Sequence, residues 1–411
     1  MADPKHTKGS LILIKYILYA ILFLFPFGQL TQIPFLSGPR IYIQDILTVF
    51  LWLVLILHPV LLRHLLPQRR IIYKLKLNSL FLPLLLFVII ALLSLAVSLF
   101  SLSFKDVFFG SLYLLRWLSY TGIALASYLV IKNSISAKEN FIKGLIFAGT
   151  LSSIFGLFQY ALYPDLRNLY YLGWDPHYLR VFGTFFDPNY LGLIIVLTII
   201  LILFTTKTFL FWQKIILLII NGLALALTYS RSSFIALGAS LVSSLIPFPK
   251  YKKIIFTLFI IGILILFILP KGTQSEGIQL GRIASIQSRF ESSLKGMSIF
   301  LSSPVYGVGF NTLSSRQSSR VQYFNGQVIP SNSASGIENS FIFILATTGI
   351  LGFAAYMLFI RNIFLIGDNI VNISLGAILI HSLFNNSLFY PPVMIWLWIL
   401  VGTSLAIKNY K

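Results

Sequence analysis

From Asn189 to Thr205 the chain reads NYLGLIIVLTIILILFT. Nothing in this stretch is charged, and apolar side chains fall on every side of a 3.6-residue helix. A helix of this length rises about 25 Å, close to the ~30 Å of a bilayer's hydrocarbon. A soluble surface helix would carry a polar stripe instead. The stretch is therefore read as a membrane span.

Comparable runs recur in both directions. Spans are expected near 11–27, 41–60, 80–100, 107–131, 141–162, 189–205, 215–229, 233–248, 254–270, 339–360, 363–384 and 391–407. Across the 411 residues 57% are hydrophobic and only 10% charged, against about a quarter charged in soluble domains. That composition excludes disorder, a soluble enzyme and a fibrous repeat. The chain reads as an all-α polytopic membrane protein of about 12 transmembrane helices, a single membrane domain over 1–411. The first span follows a basic start but no small-residue cleavage site follows it, so it is read as a span and not a cleaved leader. There is no cysteine, which removes disulfides and thiolate chemistry.

Lys and Arg total 31 against 11 Asp and Glu, formally +20. In a membrane chain such an excess is first a topology signal, because basic loops stay on the cytoplasmic side. With the amino terminus inside, the inner segments hold Lys5, Lys8, Lys15, Arg63, Arg69, Arg70, Lys74, Lys76, Lys132, Lys138, Lys143, Lys207, Lys214, Lys250, Lys252, Lys253, Arg361, Lys408 and Lys411. Both termini are thus expected in the cytoplasm. Nucleic acid is not an expected partner. Two long segments then fall outside, a first outer loop at 163–188 and a large one at 271–338 between the ninth and tenth spans. The second contains an amphipathic stretch, Ile283 to Leu301, with Ile286, Phe290, Leu294 and Met297 near helical spacing, expected as an interfacial helix.

The basic residues left outside are Arg40, Lys105, Arg167, Arg180, Arg231, Lys271, Arg282, Arg289, Lys295, Arg316 and Arg320, mostly arginine where the inner set is mostly lysine. Arginine's fork grips phosphate oxygens bidentately, so an anionic, phosphate-bearing ligand is the expectation, against plain headgroup contact. Arg231, in Thr228-Tyr229-Ser230-Arg231-Ser232-Ser233, sits between two spans with almost no loop, where a charge is costly and usually functional. Arg180 precedes a turn-rich run ending Asp187-Pro188-Asn189, with Asp187 read as an Asx turn residue. Arg289 has Glu291 and a polar helix face near it. Arg116, inside the fourth span, is expected to pair with Asp106 or a backbone carbonyl in a structural role.

Outer carboxylates are few: Asp165, Asp175, Asp187, Glu276, Glu291 and Glu338. Glu338 opens onto Asn339-Ser340 and an apolar run; partial desolvation there would raise its basicity. The alternative is a carboxylate placed for the helix dipole. His381 is expected as a hydrogen-bonded core histidine, or else an auxiliary donor. No HExxH, clustered ligands, P-loop or GxGxxG is present, so no cofactor is expected. Tyr163, Tyr170, Tyr171, Trp174 and Tyr178 in the first outer loop read as an interfacial belt before a sugar-stacking surface.

Four segments in this order are similar to a known family. Arg180-Val181-Phe182-Gly183-Thr184-Phe185-Phe186-Asp187-Pro188-Asn189, Ser230-Arg231, Arg289 with Ser303-Pro304-Val305-Tyr306-Gly307-Val308-Gly309-Phe310, and Glu338-Asn339-Ser340 through Thr348-Gly349-Ile350-Leu351-Gly352 resemble the O-antigen ligase and polymerase superfamily. The likeness covers about 180–352. It implies a metal-independent, inverting, GT-C-type glycosyltransferase of the bacterial inner membrane, working on its periplasmic face. Undecaprenyl-diphosphate-linked oligosaccharide would be the donor, and a glycan, lipid or protein hydroxyl the acceptor. Arg180, Arg231 and Arg289 would bind the diphosphate, Glu338 would be the base, and Asn189, Asn339 and His381 would support them. The ligases carry histidine before Asn-Ser; Glu338 here favours the polymerase side. A lipid-linked glycan flippase or transporter is the rival of a different class, its mark being repeats or broken helices around a midplane site. A peptidoglycan-type polymerase is the nearer enzymatic rival.

Overall fold

The computed structural model describes residues 4–33, 40–58, 77–172, 174–205, 209–269, 276–281, 283–313, 322–324, 327–329 and 336–408. Arg63, Arg69, Arg70, Lys74, Lys76, Lys207, Lys271, Arg282, Arg316, Arg320 and Lys411, used above for topology and charge, lie outside them.

Each of the twelve apolar segments forms a helix. They are α1 (Pro4–Leu24), α2 (Ile43–Leu57), α3 (Leu77–Ser98), α4 (Phe104–Asn133), α5 (Ser136–Leu162) and α6 (Pro188–Phe204), then α7 (Phe211–Thr228), α8 (Arg231–Ser244) and α9 (Lys252–Ile268). The amphipathic stretch of the large loop is α10 (Ala284–Ser302), followed by α11 (Ser340–Ile366), α12 (Asn369–His381) and α13 (Pro391–Lys408). Among the described residues six helices are long and apolar enough to cross a membrane: α1 with the turn after it, α3, α4, α5, α7 and α11. α2, α6, α12 and α13 are apolar but shorter. Arg361 is not in a loop between the tenth and eleventh spans as expected. α11 runs on to Ile366, because Asn362-Ile363-Phe364 keeps an apolar face against the core and the chain turns only at Gly367-Asp368.

α6, the uncharged stretch, is enclosed on nearly every side by α5, α7, α8 and α12, and most of its side chains have no exposed surface. Its all-round apolarity therefore meets protein and not solvent or lipid. Polarity and packing combine at its start. Asp187 caps it by accepting from the Asn189 amide at 2.7 Å, Pro188 takes the first position where no donor is needed, and Phe186 before it adopts a left-handed φ of 56°.

α11 is not continuous. Gly349 takes φ 66° and ψ −170°, breaking the helix nine residues from its start. The broken backbone is repaired by the segment after α10. Val308 N donates to Ala346 O at 3.0 Å and Gly309 N to Thr347 O at 3.1 Å, while Ile350 N donates to Pro304 O at 2.9 Å. Ser94 of α3 closes the knot by donating to Thr347 O at 2.7 Å and accepting from Gly309 N at 3.1 Å. Two glycines make this approach possible: a Cβ on Gly349 would collide with the Val305 carbonyl, and one on Gly307 (φ 70°) with that of Thr347. The anchor of the segment is Phe310, 2% exposed, which joins Phe87, Trp117, Phe343, Tyr356 and Phe389 in a cluster of edge-on and tilted rings.

Along α10 the expected stripe is real. Ile283, Ile286, Phe290, Leu294 and Leu301 are exposed, while the opposite side packs on α11 with Gly296 against Ile337 and Ile342. Consecutive helices reverse at short turns, so the starts of α2, α6, α8, α11 and α13 and the ends of α5, α7 and α12 gather at one end of the bundle. Gly349→Val, combining a wrong φ with a backbone collision, should cost about 3 kcal/mol or more. Thermal unfolding in detergent checks this, with Gly262→Ala, whose added methyl meets nothing, expected near wild type.

Candidate functional site

The site is assembled at that end of the bundle, from turns. Ser230 caps α8 by accepting from Ser233 N, which leaves Arg231 as the first helical residue. Its guanidinium donates to Leu280 O at 3.2 Å and to the Ser285 hydroxyl, tying α8 to the chain entering α10. Asn339 caps α11, accepting from the Phe341 and Ile342 amides at 2.9 and 3.2 Å and donating to Leu383 O at 3.0 Å. Glu338 is therefore one residue ahead of the cap, aimed away from the helix.

Arg289 of α10 meets it there: Nε lies 2.9 Å from Glu338 Oε2, with the two side chains 22% and 39% exposed. The expected desolvation of Glu338 is not what the structure has. Its charge is answered by arginine and a good part of it faces outward. Arg289 also donates to Asn385 Oδ1 at 3.3 Å. Asn385 Nδ2 donates in turn to Ser232 Oγ at 3.0 Å, and Ser232 Oγ lies 3.1 Å from His381 Nε2. His381 Nδ1 is 2.7 Å from Ser387 Oγ, and the ring is fully buried. It is the hydrogen-bonded core histidine expected, one residue removed from the charged pair. The α12–α13 turn is laced to α11 as well, Ser340 N donating to Ser382 O at 2.9 Å and Ser340 Oγ to Asn386 Oδ1 at 3.0 Å.

Arg180 is 4% exposed, and its Nε donates to Thr228 O at 2.8 Å, fixing the α7–α8 turn from behind. Asn189 accepts from Ser230 Oγ at 3.0 Å through its side chain and from Ser233 Oγ at 3.2 Å through its carbonyl. Burial pushes the Asp187 carboxyl above its ordinary value, opposed by the Asn189 N–H and the charges of Arg180 and Arg289. Arg231 also lies within electrostatic reach of Arg289. Glu338, Arg289 and Arg231 thus share one region, with Arg180 and Asp187 beneath it and Asn189, Asn339 and His381 as its framework.

One expectation changes in part. Arg116 does donate to a backbone carbonyl, Arg40 O, but its ion-pair partner is Asp45 at 2.9 Å and not Asp106, which accepts from Ser103 Oγ at 2.6 Å at the α4 start. Asp45 was absent from the count of outer carboxylates because it lies inside the second expected span. Polar groups also occur halfway along the helices: Asn221 Nδ2 donates to Thr150 Oγ1 at 3.0 Å and its Oδ1 accepts from Ser153 at 2.8 Å. In the first outer loop Arg167 pairs with Asp165 at 2.7 Å, holding that carboxyl below its ordinary value, and lies over the Tyr178 ring. Asn385 and Ser232 were not among the expected site residues. The one signal for Asn385 was the polar run His381-Ser382 and Asn385-Asn386-Ser387 between two apolar spans.

Removing Arg116 leaves Asp45 a buried charge with no counter-charge. Arg116→Leu should cost about 3 kcal/mol, and adding Asp45→Asn should recover most of it, read from thermal unfolding of the single and double variants.

No curated protein matches the chain. The family model described as O-Antigen ligase matches residues 215–357, roughly a third of the chain, which holds Arg231, Arg289 and Glu338 and leaves Arg180 and Asn385 outside. The match spans α7 to the middle of α11, including the broken helix and the segment that repairs it. Over those residues the chain is similar to the O-antigen ligase family.

Proposed function

We propose that the protein is an inverting glycosyltransferase that moves a glycan from undecaprenyl diphosphate to an acceptor hydroxyl on the outer face of the bacterial inner membrane. The observation that carries this reading is the Arg289–Glu338 pair, 2.9 Å apart, part-exposed and beside Arg231 within the O-antigen ligase match. A carboxylate and a phosphate-binding fork at one spot are what the reaction needs.

The acceptor oxygen attacks the anomeric carbon from the face opposite the diphosphate. A C–O bond forms as the C–O bond to the diphosphate breaks, and the acceptor's proton passes to the Glu338 carboxylate. The charge developing on the leaving diphosphate is met by Arg289 and Arg231, whose forks suit its oxygens. Arg180, buried behind the α7–α8 turn, contributes its charge and holds that turn in place. A diphosphate drawing Arg289 toward itself loosens the ion pair and frees Glu338 for the proton. His381, Asn385 and Ser232 keep Arg289 on station. Glu338 in the place of the ligases' histidine supports the polymerase side, where the acceptor is another lipid-linked repeat. Transport of the same lipid-linked glycan is the second reading. Its midplane polar candidate, Asn221 with Thr150 and Ser153, is a closed set of hydrogen bonds between α5 and α7, which favours a packing role.

Glu338→Gln should lower glycan transfer by roughly 10²–10⁴-fold in purified protein given lipid-linked oligosaccharide, with folding intact; retained turnover removes Glu338 as base. Arg289→Lys keeps a charge but not the fork, and should raise the KM for the donor about tenfold. Longer glycan on the same lipid identifies a polymerase, glycan on a separate acceptor a ligase, and unchanged glycan across the bilayer a transporter.

A further inference from the structure

A recess opens at the same end of the bundle, where Gln29, Tyr42, Gln44 and Tyr390 meet the apolar side chains of Phe25 and Ile395. Its enclosed part is about 30 Å³, room for one or two waters or the hydroxymethyl arm of a sugar. The wall is built from amides and phenols held by one another. Tyr42 donates to Gln29 Oε1 at 2.5 Å, Thr31 donates to Gln44 Oε1 at 2.6 Å, and Gln44 Nε2 donates to Leu24 O at 3.1 Å. A side-chain amide has two donors and two acceptor lone pairs, so each glutamine is oriented by the frame and retains capacity for a ligand.

The recess is mostly apolar, with a few amide and phenol groups and no net charge. Asp45 and Arg116 behind it cancel each other at 2.9 Å, and Tyr120 donates to Asp45 Oδ1 at 2.8 Å. Arg40, the next cation, is engaged elsewhere, over the Trp174 ring and on the Leu172 carbonyl. A phosphate finds no committed partner here, in contrast to Arg231 and Arg289. Aromatic faces with fixed donors and acceptors suit a neutral, hydroxyl-rich ring with apolar faces of its own. The recess also reaches the reacting groups through one shared wall: Tyr390 stacks on Tyr190 at 4.0 Å and 16°, and Tyr190 neighbours His381.

We propose that this recess is a sugar subsite, taking the hydroxymethyl arm of one neutral sugar residue of a glycan whose reacting end lies at Arg289 and Glu338. The inference rests on the glycosyl-transfer reading above. Gln29 would grip the hydroxyl of that arm, with the Tyr42 and Tyr390 rings beside its methylene.

The test pairs Gln29→Ala with the conservative Tyr42→Phe, both checked for wild-type thermal unfolding. In purified protein each should raise the KM for one sugar-bearing substrate about tenfold for Gln29→Ala, and less for Tyr42→Phe, with kcat within about twofold. A rise for the acceptor assigns the subsite to the acceptor glycan; a rise for the donor, with unchanged affinity for undecaprenyl diphosphate lacking sugar, assigns it to the donor glycan. Unchanged KM for both substrates, or a parallel loss of affinity for the sugar-free lipid, overturns the proposal. Saturation-transfer NMR with the oligosaccharide released from the donor by mild acid gives a readout independent of turnover. Signal in the wild type that is lost in Gln29→Ala supports the subsite even if no transfer occurs, in which case the glycosyl-transfer reading alone fails. Active enzyme with no such signal overturns the subsite and leaves that reading standing.

Discussion

Backbone hydrogen bonds interrupted inside a helix of a membrane protein have to be made elsewhere, because hydrocarbon offers no partners. Gly349 creates that demand, and Pro304, Val308 and Gly309 meet it with Ser94. The exchange is close to one for one: Ile350 N gives up its place on Ala346 O, and Val308 N takes it. The segment so captured leads directly from α10, the helix that carries Arg289. The helix it repairs begins two residues after Glu338. The knot therefore sets the register between the two helices that bring the ion pair together, and the buried Phe310 ring keeps the captured segment from slipping.

Above the knot, charges are distributed unevenly. Three arginines converge on a region with Glu338 and Asp187 both part-exposed, and the neutral groups between them, Ser232, Asn385, Asn189 and Ser230, carry the hydrogen bonds. Such an arrangement holds a surplus of positive charge beyond the one Arg289–Glu338 pair. The recess around Gln29 and Tyr42 is the opposite case, its one ion pair internally balanced. Two neighbouring surfaces of different electrostatic character suit the two halves of a molecule that is anionic at one end and neutral at the other.

Helix positions were legible in the sequence because runs of apolar residues leave few alternatives. Arg231 and Glu338 stand out in the sequence as charges beside such runs, and the structure brings Glu338 to Arg289, which the sequence places in an amphipathic stretch. α6 was read as a span from its uniform apolarity, yet it is surrounded by protein; lipid and a packed core impose the same composition, so the pattern cannot tell them apart. Asn385 and Ser232 escaped for a different reason. They are small, uncharged and 153 positions apart, and their importance comes from meeting each other and Arg289 across three helices. Arg116 was seen, but its partner was sought nearby at Asp106 when the bundle supplied Asp45 from another helix. The break at Gly349 lay inside a stretch noted for its resemblance, and no periodicity marks a single residue that changes conformation.

α9 stands apart from this tightly held machinery. Phe256, Phe259, Ile260, Ile261, Ile263, Leu264, Phe267 and Ile268 are all exposed, and the helix is held at its start by buried Ile255 and at its far end by Leu269 among Ala226, Tyr229 and Ile278. Its 17 residues span about 25 Å, somewhat less than a typical hydrocarbon core. A helix that is short for its bilayer and free along most of its flank takes its tilt from acyl-chain length. The exposed flank of α9 would thus follow the thickness of the surrounding lipid, while α10 and Glu338, just ahead of α11, are held by protein contacts.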